Sequence, residues 1–252
     1  MDAIRGGIAE LAGENARHLT RVLRVEPGQR YEISDGQAAW LAEVVEARGP
    51  RVAFRVLESA ETPEPAACIT LCAALIKFDR FEWMIEKATE LGVERIRPVE
   101  TARSEKGLFQ AAAKRAERWA RIAHEAAEQS RRLRPPEILP AVRLEVCLRT
   151  ATATCRFRME ESEAPPLFAL LAPAPQAPRE IHLLVGPEGG WTDEERGAAA
   201  SSGWQPASLG PGILRAETAA IASIAIAAAA CHAASRYNKD REGERSIQPT
   251  AG

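Results

Sequence analysis

The sequence predicts an α/β fold, with a parallel sheet in the C-terminal part of the chain and a small β-barrel in the N-terminal part. Beyond the first quarter of the chain, short apolar runs alternate with segments of helical periodicity, which is typical of a parallel sheet covered by helices. Residues 1–60 instead contain short strand-like runs separated by turn sequences. The 252 residues are enough to bury a sizeable core.

The N-terminal part is predicted as a β-barrel with a basic edge. Before its strands lies the segment His18–Val25, and Arg17, Arg21 and Arg24 share one side of this region. The turn sequences EPGQ, SDGQ and ARGP delimit the strand-like runs. The predicted strands are Arg30–Ser34, Ala38–Val45 and Arg51–Leu57.

The C-terminal part is predicted to contain five strands. Ile69–Ile76 is a nearly continuous apolar run, as expected for a strand that is covered on both faces. The other four runs are shorter, and helical patterns or loops separate them. They are Arg95–Val99, Thr152–Arg158, Ile181–Val185 and Pro206–Leu209.

Helices are predicted between these strands. Asp79 and Glu82 fit a capping box that opens the first helix, and Gly92 can close it. Thr192 and Glu195 form a second capping box that opens a later helix. Two further predicted helices are 108–130 and Ala216–Ser235.

The composition divides the chain into two domains and a tail. Ser59–Ala67 is rich in proline and acidic residues, which is typical of a linker. The last residues of the chain are polar, which is typical of a disordered tail. We therefore expect an N-terminal domain over residues 1–62, a larger domain over 68–238 and a disordered tail over 239–252.

Charge, cysteine content and hydropathy exclude several classes of protein. The net charge is −2, so the whole chain gives no basic signal for nucleic acid. The five cysteines form no CxxC pair, which favours reduced thiols in a cytoplasmic protein. The alanine-rich run Ala219–Cys231 is shorter than the roughly 20 residues of a membrane helix. We expect no membrane partner and no metal.

Two glycine-rich loops near the C-terminus carry the strongest functional signal. The first is LLVGPEGGWTDEE, Leu183–Glu195, and the second is LGPGILRAETAA, Leu209–Ala220. Each follows a buried-strand pattern, and strand-to-loop turns of this kind shape a crevice at the carboxyl edge of a parallel sheet. Glycine lets the main chain approach a ligand closely. The pair therefore indicates a binding site that is built mostly from main chain.

Other glycine-loop chemistries fit the sequence poorly. The second loop contains Gly210 and Gly212, but Arg215 stands where a dinucleotide fingerprint has its third glycine. The sequence contains no GxxxxGK[ST] phosphate loop, no HExxH motif and no GxSxG nucleophile. What remains is a glycine-lined crevice beside Arg215 and Glu217, with Glu188 in the first loop.

Both loops together closely resemble the 16S ribosomal RNA uracil-N3 methyltransferase family of the SPOUT class. The likeness extends to KFDRFEWMIEKATELGV, PVETARSE, HEAAEQSRRLRPPEI and, near the N-terminus, HLTRVLRVEPGQ. It spans roughly residues 15–236. The resemblance implies a SPOUT-type sheet with a C-terminal trefoil knot, a PUA-like or OB-like β-barrel, and a homodimer packed through the knot region.

The resemblance also implies S-adenosylmethionine as the cofactor, with the two loops as its binding site. Most contacts would come from main chain, which accounts for the glycines and small residues. The implied cofactor-binding residues are Leu184, Gly186, Glu188, Gly189, Gly190, Leu209, Gly210, Ile213, Leu214, Thr218 and Ala219.

The implied reaction is methylation of N3 of one uridine near the 3′ end of 16S rRNA in the small ribosomal subunit. Uracil N3 is a poor nucleophile while it carries its proton, so catalysis needs a proton acceptor and a group that stabilises the anion. Arg215 is our candidate for stabilising the anion. Glu217, or a water that it holds, is our candidate for accepting the proton. Each residue also has a structural alternative, as an ion-pair partner or a helix N-terminal carboxylate.

RNA binding needs local positive charge even in a nearly neutral protein. Residues 111–134 contain seven basic and three acidic residues, although part of that charge could simply solvate a helix face. The candidate RNA contacts are Arg17, Arg21, Arg24, Arg103, Gln129 and Arg132.

The sequence leaves three alternative functions open. They are methylation of a ribose 2′-hydroxyl, an RNA-binding assembly factor without activity, and dinucleotide-dependent oxidoreduction.

Overall fold

The computed structural model describes residues 4, 6–36, 38–60, 66–161, 163–171 and 178–245, and side chains up to residue 235. Two compact units divide the chain, Met1–Glu64 and Pro65–Gly252. Each unit has a hydrophobic core of its own.

The described residues of the N-terminal unit form a four-stranded antiparallel sheet and one helix. The strand order is β1–β4–β3–β2. The two predicted strands that begin at Arg30 and Arg51 are confirmed, and the central strand starts at Ala39. A fourth strand, β1, pairs with β4 from Ile8 to Ala12. The elements are β1 (Ile8–Ala12), α1 (Gly13–Arg21), β2 (Arg30–Ser34), β3 (Ala39–Arg48) and β4 (Arg51–Ala60).

The C-terminal unit is built on a seven-stranded parallel sheet, as the alternating pattern predicts. Its order is β11–β9–β10–β5–β6–β7, and β8 also pairs with β6. The elements are β5 (Cys68–Ala74), α2 (Phe78–Glu90), β6 (Arg95–Glu100), α3 (Leu108–Ala112), a 3₁₀ turn (Ala113–Arg115), α4 (Ala116–Gln129), β7 (Glu137–Ile138), β8 (Val142–Arg143), α5 (Leu144–Thr150), β9 (Cys155–Met159), α6 (Leu167–Leu171), β10 (Glu180–Val185), α7 (Asp193–Ser201), β11 (Gln205–Ala207) and α8 (Ala216–Arg245).

The two central strands are covered on both faces. Side chains of β5 and β10 alternate between a large core cluster, which contains Leu71 and Leu183, and a smaller one, which contains Cys72 and Leu184. All four of these side chains are buried, which explains why both strands read as continuous apolar runs rather than as alternating ones.

The predicted capping box at Asp79 is wrong. The helix begins at Phe78, so its N-cap is Lys77, two residues before Asp79, and no side chain caps this helix start. Asp79 lies in the first turn, where its negative charge still favours the helix dipole. Glu82 turns instead to α4, where its two carboxylate oxygens each accept a 2.8 Å hydrogen bond from Arg118. The tertiary ion pair therefore replaces the local cap. Gly92 follows the helix end with φ of +90°, as predicted.

Two other predicted helices differ in extent. The predicted helix over 108–130 is interrupted by the 3₁₀ turn between α3 and α4. The last helix continues beyond Ser235 to Arg245, because extending an existing helix costs far less than nucleating a new one. Residues 246–252 of the predicted tail lie outside the described residues.

Helix α8 is unusually apolar. Within the described part of the chain, Ala216–Ser235 is long and apolar enough to cross a membrane, but a core helix of a soluble protein passes the same test. Ala220, Ile224 and Ala227 of this helix are fully buried in the larger core.

We predict that Trp119→Ala destabilises the C-terminal unit by about 3–5 kcal/mol, the usual cost of deleting a buried aromatic side chain. Trp119 is buried, and its ring centroid lies 4.8 Å from that of Phe81 on α2. Denaturant unfolding would measure the loss. Trp83→Ala on α2 is the matched control, because Trp83 is 46% exposed and its loss should cost much less. Equal losses would contradict the assigned core.

Candidate functional site

The two glycine-rich loops meet in one cleft at the carboxyl ends of β9, β10 and β11. The cleft encloses about 580 Å³ of space, including its open mouth. The lining residues are Met159, Glu160, Glu161, Val185, Gly186, Pro187, Gly190, Trp191, Arg196, Leu209, Gly210, Gly212, Leu214, Ala216 and Ala219.

Six of the eleven predicted cofactor-binding residues line this cleft. The side chain of Leu184 is buried in the smaller core cluster, on the other face of the sheet from Leu183. Ile213 is 83% exposed, and Thr218 is also exposed. Glu188 and Gly189 face neighbouring arginines instead. The six lining residues are Gly186, Gly190, Leu209, Gly210, Leu214 and Ala219.

Close packing and backbone geometry explain why the first loop needs its glycines. A Cβ atom at Gly186 would lie 2.9 Å from Cε2 of Trp191, so any side chain there would displace the indole. Trp191 is buried and donates a 2.9 Å hydrogen bond from Nε1 to the carbonyl oxygen of Met159. Gly190 has φ of +68°, which disfavours other residues. The loop thus packs tightly against the end of β9.

Sequence reasoning missed the third wall of the cleft, which follows β9. Glu160 is buried and accepts hydrogen bonds from Arg158 and Arg196, the latter from Nε at 3.0 Å. Burial alone would raise the pKa of Glu160, but hydrogen bonds from the two guanidinium groups outweigh it and lower the pKa to about 2. Glu160 is therefore a fixed anion, unsuited to proton transfer near neutral pH. Its only sequence signal was a carboxylate directly after a buried strand.

Arg80, in the first turn of α2, links the two loops. Its Nη1 donates a 2.6 Å hydrogen bond to Oε1 of Glu188 in the first loop. Its Nε lies 4.0 Å from Oε1 of Glu217, at the start of α8. One guanidinium group therefore neutralises a carboxylate from each loop. The sequence did not single out Arg80, because nothing local shows that α2 packs beside both loops.

The two predicted catalytic residues are separated by one residue in the chain, but they lie in different environments. Arg215 is exposed in the loop before α8. Glu217 is only 5% exposed, and its Oε2 is buried with no hydrogen-bond partner among the described residues. An unpaired buried oxygen is costly, so this carboxylate has capacity for one more donor. Neither side chain lines the cleft itself.

The predicted RNA contacts are dispersed. Arg17 and Arg21 are exposed on α1, and Arg24 is exposed just after it. Gln129 lies in a second groove, between α2 and α4, whose charged lining is mostly acidic. Arg132 is largely buried and donates to the carbonyl oxygens of Thr89 and Val93 and to Glu94. The charged residues of that groove are Asp79, Glu82, Glu86, Lys87, Glu90, Arg118 and Glu125.

We predict that Glu160→Gln weakens the acid dependence of stability. The pKa of Glu160 is lower in the folded protein than its usual 4.5, so ionised Glu160 stabilises the fold above pH 4.5. That contribution is lost as the pH falls from 4.5 to about 2. The variant should be less stable at neutral pH and lose less stability across this window, as measured by denaturant unfolding at each pH. The exposed Glu163→Gln is the control, and parallel curves for Glu160→Gln and the wild type would refute the prediction.

Two family models match most of the chain. The model described as an RNA methyltransferase domain matches residues 62–228. The model described as an RNA methyltransferase PUA domain matches residues 11–57. The two matches fall, almost entirely, one on each of the two compact units.

Named relatives agree with these models. The chain is 36% identical over 217 residues to ribosomal RNA small subunit methyltransferase E of Synechocystis, covering 82% of this chain and 68% of that protein. The structure of the Neisseria gonorrhoeae enzyme of the same name, bound to S-adenosylmethionine, is 33% identical, with a TM-score of 0.76 and coverage of 89% and 92%. A Legionella pneumophila methyltransferase in complex with the same cofactor is 30% identical, with a TM-score of 0.75 and coverage of 91% and 95%. The chain therefore belongs to the RNA methyltransferase family, in the group named ribosomal RNA small subunit methyltransferase E.

Proposed function

We propose that this chain methylates N3 of one uridine near the 3′ end of 16S rRNA. The observation that carries the proposal is the single cleft that both glycine-rich loops form at the end of β10. The chain is an S-adenosylmethionine-dependent rRNA methyltransferase, like the relatives that match it over most of their length. The uridine and its N3 atom come from the resemblance of the loops and the other sequence blocks.

The cofactor is S-adenosylmethionine, which supplies an electrophilic methyl group when it is bound. The cleft suits its adenosine part, because apolar residues such as Val185 and Leu214 can cover a flat base while main-chain groups read its edge. Gly190 and Gly210, two of the predicted glycines that line the cleft, have no side chains that would block close approach to the backbone. We propose that all eleven predicted residues form or support this pocket, with Leu184 and Thr218 acting through their main chain.

We propose Arg215 as the group that stabilises the uracil anion. Once N3 loses its proton, negative charge spreads over the two carbonyl oxygens of the base. A guanidinium group carries several fixed donors and can hold this charge in a bidentate manner. The exposed position of Arg215, just before α8, leaves it accessible to an RNA base.

Glu217, or a water that it holds, is the proposed proton acceptor. One of its oxygens faces Arg80 and the other has no partner among the described residues, so the carboxylate can still accept a proton or bind a water. Its place two residues after Arg215 brings both functions to the start of one helix. The alternative role is purely structural, as the partner of Arg80.

The N-terminal domain, residues 1–62, is the proposed RNA-binding module. Arg17 and Arg21 are four residues apart on α1 and therefore share a face of that helix, which Arg24 extends. Exposed arginines on one face suit contacts with phosphate oxygens. This face would hold the RNA substrate, while the domain over 68–238 carries the reaction.

A trefoil knot and a homodimer complete the proposal. β11 lies at the edge of the sheet, yet the chain returns from it to pack α8 against β5 and β10, near the middle. This return passes close to the first loop, and such a path is compatible with a trefoil knot, in which the final segment threads through a loop. Helix α8 has small, half-buried residues such as Ala222 and Ala225, which permit close approach of a second copy.

The cytoplasm is the proposed compartment, because bacterial ribosomes are assembled there.

We predict that Arg215→Ala lowers methyl transfer by about 10²- to 10³-fold, because the uracil anion loses its main stabilising group. Glu217→Gln should reduce turnover while leaving cofactor affinity nearly unchanged. Mass mapping of methylated nucleosides in small-subunit RNA, from a deletion strain complemented with each variant, measures methyl transfer, and calorimetry with S-adenosylmethionine measures cofactor affinity. Loss of N3-methyluridine in the deletion strain supports the proposal, whereas loss of a ribose methyl group, or no change, refutes it. Wild-type turnover in Arg215→Ala would remove this residue from the mechanism.

We also predict that affinity for 16S rRNA falls steeply with salt. If the three arginines at and after α1 each neutralise one phosphate, affinity should drop roughly fourfold for each doubling of salt concentration. Changing Arg17, Arg21 and Arg24 together to Gln should weaken binding at low salt and flatten this dependence. Filter binding across a salt series would measure it. A dependence equally steep in the triple variant would exclude these residues as phosphate contacts.

A further inference from the structure

Two opposite charges flank one glycine of the first loop. A Cβ atom built on Gly190 would lie 4.0 Å from Oε2 of Glu161 and 4.0 Å from Nη1 of Arg103. Glu161 comes from the loop after β9, and Arg103 from the loop after β6. Gly190 and Glu161 also line the cleft. Three separate loops therefore bring a carboxylate and a guanidinium group to Gly190, where Glu161 lines the cleft and Arg103 lies beside that lining.

Glu161 differs from its neighbour Glu160 in having its charge uncompensated. Glu160 is buried between two arginines. The carboxylate of Glu161 is exposed and makes no ion pair or hydrogen bond with the residues that the structure describes. In a cleft, such a carboxylate is available for a positively charged group of a ligand.

Arg103 is held in place while most of its donors remain available. Its Nη1 donates a 2.5 Å hydrogen bond to the carbonyl oxygen of Gly189. Its aliphatic stem covers the same glycine, since a Cβ atom at Gly189 would lie 3.2 Å from Cβ and Cδ of Arg103. A guanidinium group has five N–H donors, so one bond to the loop leaves the others for a ligand. The contact with the loop fixes the orientation of the planar group.

These two side chains do not form an ion pair with each other within the described structure, although both face the position beside Gly190. A group that fits between them would carry a positive charge on one side and a negative charge on the other. The free amino-acid end of S-adenosylmethionine is such a group, because its α-ammonium and α-carboxylate are attached to one carbon atom.

We propose that Glu161 and Arg103 bind the amino-acid end of the methyl donor, Glu161 through the α-ammonium group and Arg103 through the α-carboxylate. The main chain of the glycine-rich loops then binds the nucleoside part, and the charged pair Glu161 and Arg103 binds the amino-acid end. The inference rests on the proposed function only in that S-adenosylmethionine is the cofactor. It moves Arg103 from the predicted RNA contacts to the cofactor site.

The test compares two neutral thioethers that share the adenosine part. S-adenosylhomocysteine keeps the zwitterionic amino-acid end, whereas 5′-methylthioadenosine lacks it. Calorimetry on the full-length protein should show tighter binding of S-adenosylhomocysteine to the wild type. Glu161→Gln and Arg103→Gln should each weaken that binding about tenfold while leaving affinity for 5′-methylthioadenosine unchanged. Glu163→Gln, an exposed carboxylate on the same loop but outside the cleft lining, is the matched control and should bind both ligands like the wild type.

Each outcome decides the proposal. Wild-type affinity of both variants for S-adenosylhomocysteine overturns it, and so does an equal loss of affinity for both ligands, which would mean that these residues only shape the cleft. Failure of the wild type to bind either ligand would instead refute the assignment of the cofactor. Because no RNA is present, an error in the proposed uridine or its N3 atom would leave these results unchanged.

Discussion

The site depends on the parallel pairing of β10 between β5 and β9. This pairing brings the carboxyl ends of the three strands to one edge, where their loops and helix starts converge. Leu184 and Val185 face opposite sides of β10, so the strand is anchored in both core clusters directly before Gly186. A slip of one residue in this register would exchange those faces and remove the support of the loop.

A second feature of the site is its division between main chain and side chains. The glycines supply surface that a ligand can approach, while side chains from neighbouring elements hold that surface in shape. Trp191 packs against Gly186, and Arg80 connects the first loop to the start of α8. The ion pairs of Glu160 join the end of β9 to α7. Side chains outside the two glycine-rich loops therefore hold these loops in position. This explains why the loop residues that line the cleft are uncharged, whereas charged residues surround the cleft.

Local signals in the sequence predicted much of the architecture. The continuous apolar runs identified β5 and β10, and Thr192 with Glu195 forms the capping box that opens α7. The same type of motif failed at Asp79, because Glu82 pairs with Arg118 across two helices rather than capping its own. A capping box depends on residues three apart in the chain, so sequence can indicate it, but a competing tertiary partner decides whether it forms.

The sequence by itself determined the fold class, the two glycine-rich loops and, through its blocks of resemblance, the family. These properties depend on composition, local periodicity and motifs, all of which are contiguous in the chain. Only the tertiary structure decided which side chains meet at the cleft. Arg80, Arg103 and Glu161 come from three different loops or helix starts and reach the site because their strands end at the same edge. The burial of Arg132, likewise, follows from its contacts with the end of α2, which lies some forty residues earlier in the chain. No local sequence pattern predicts such contacts between distant side chains, because they result from strand order and packing.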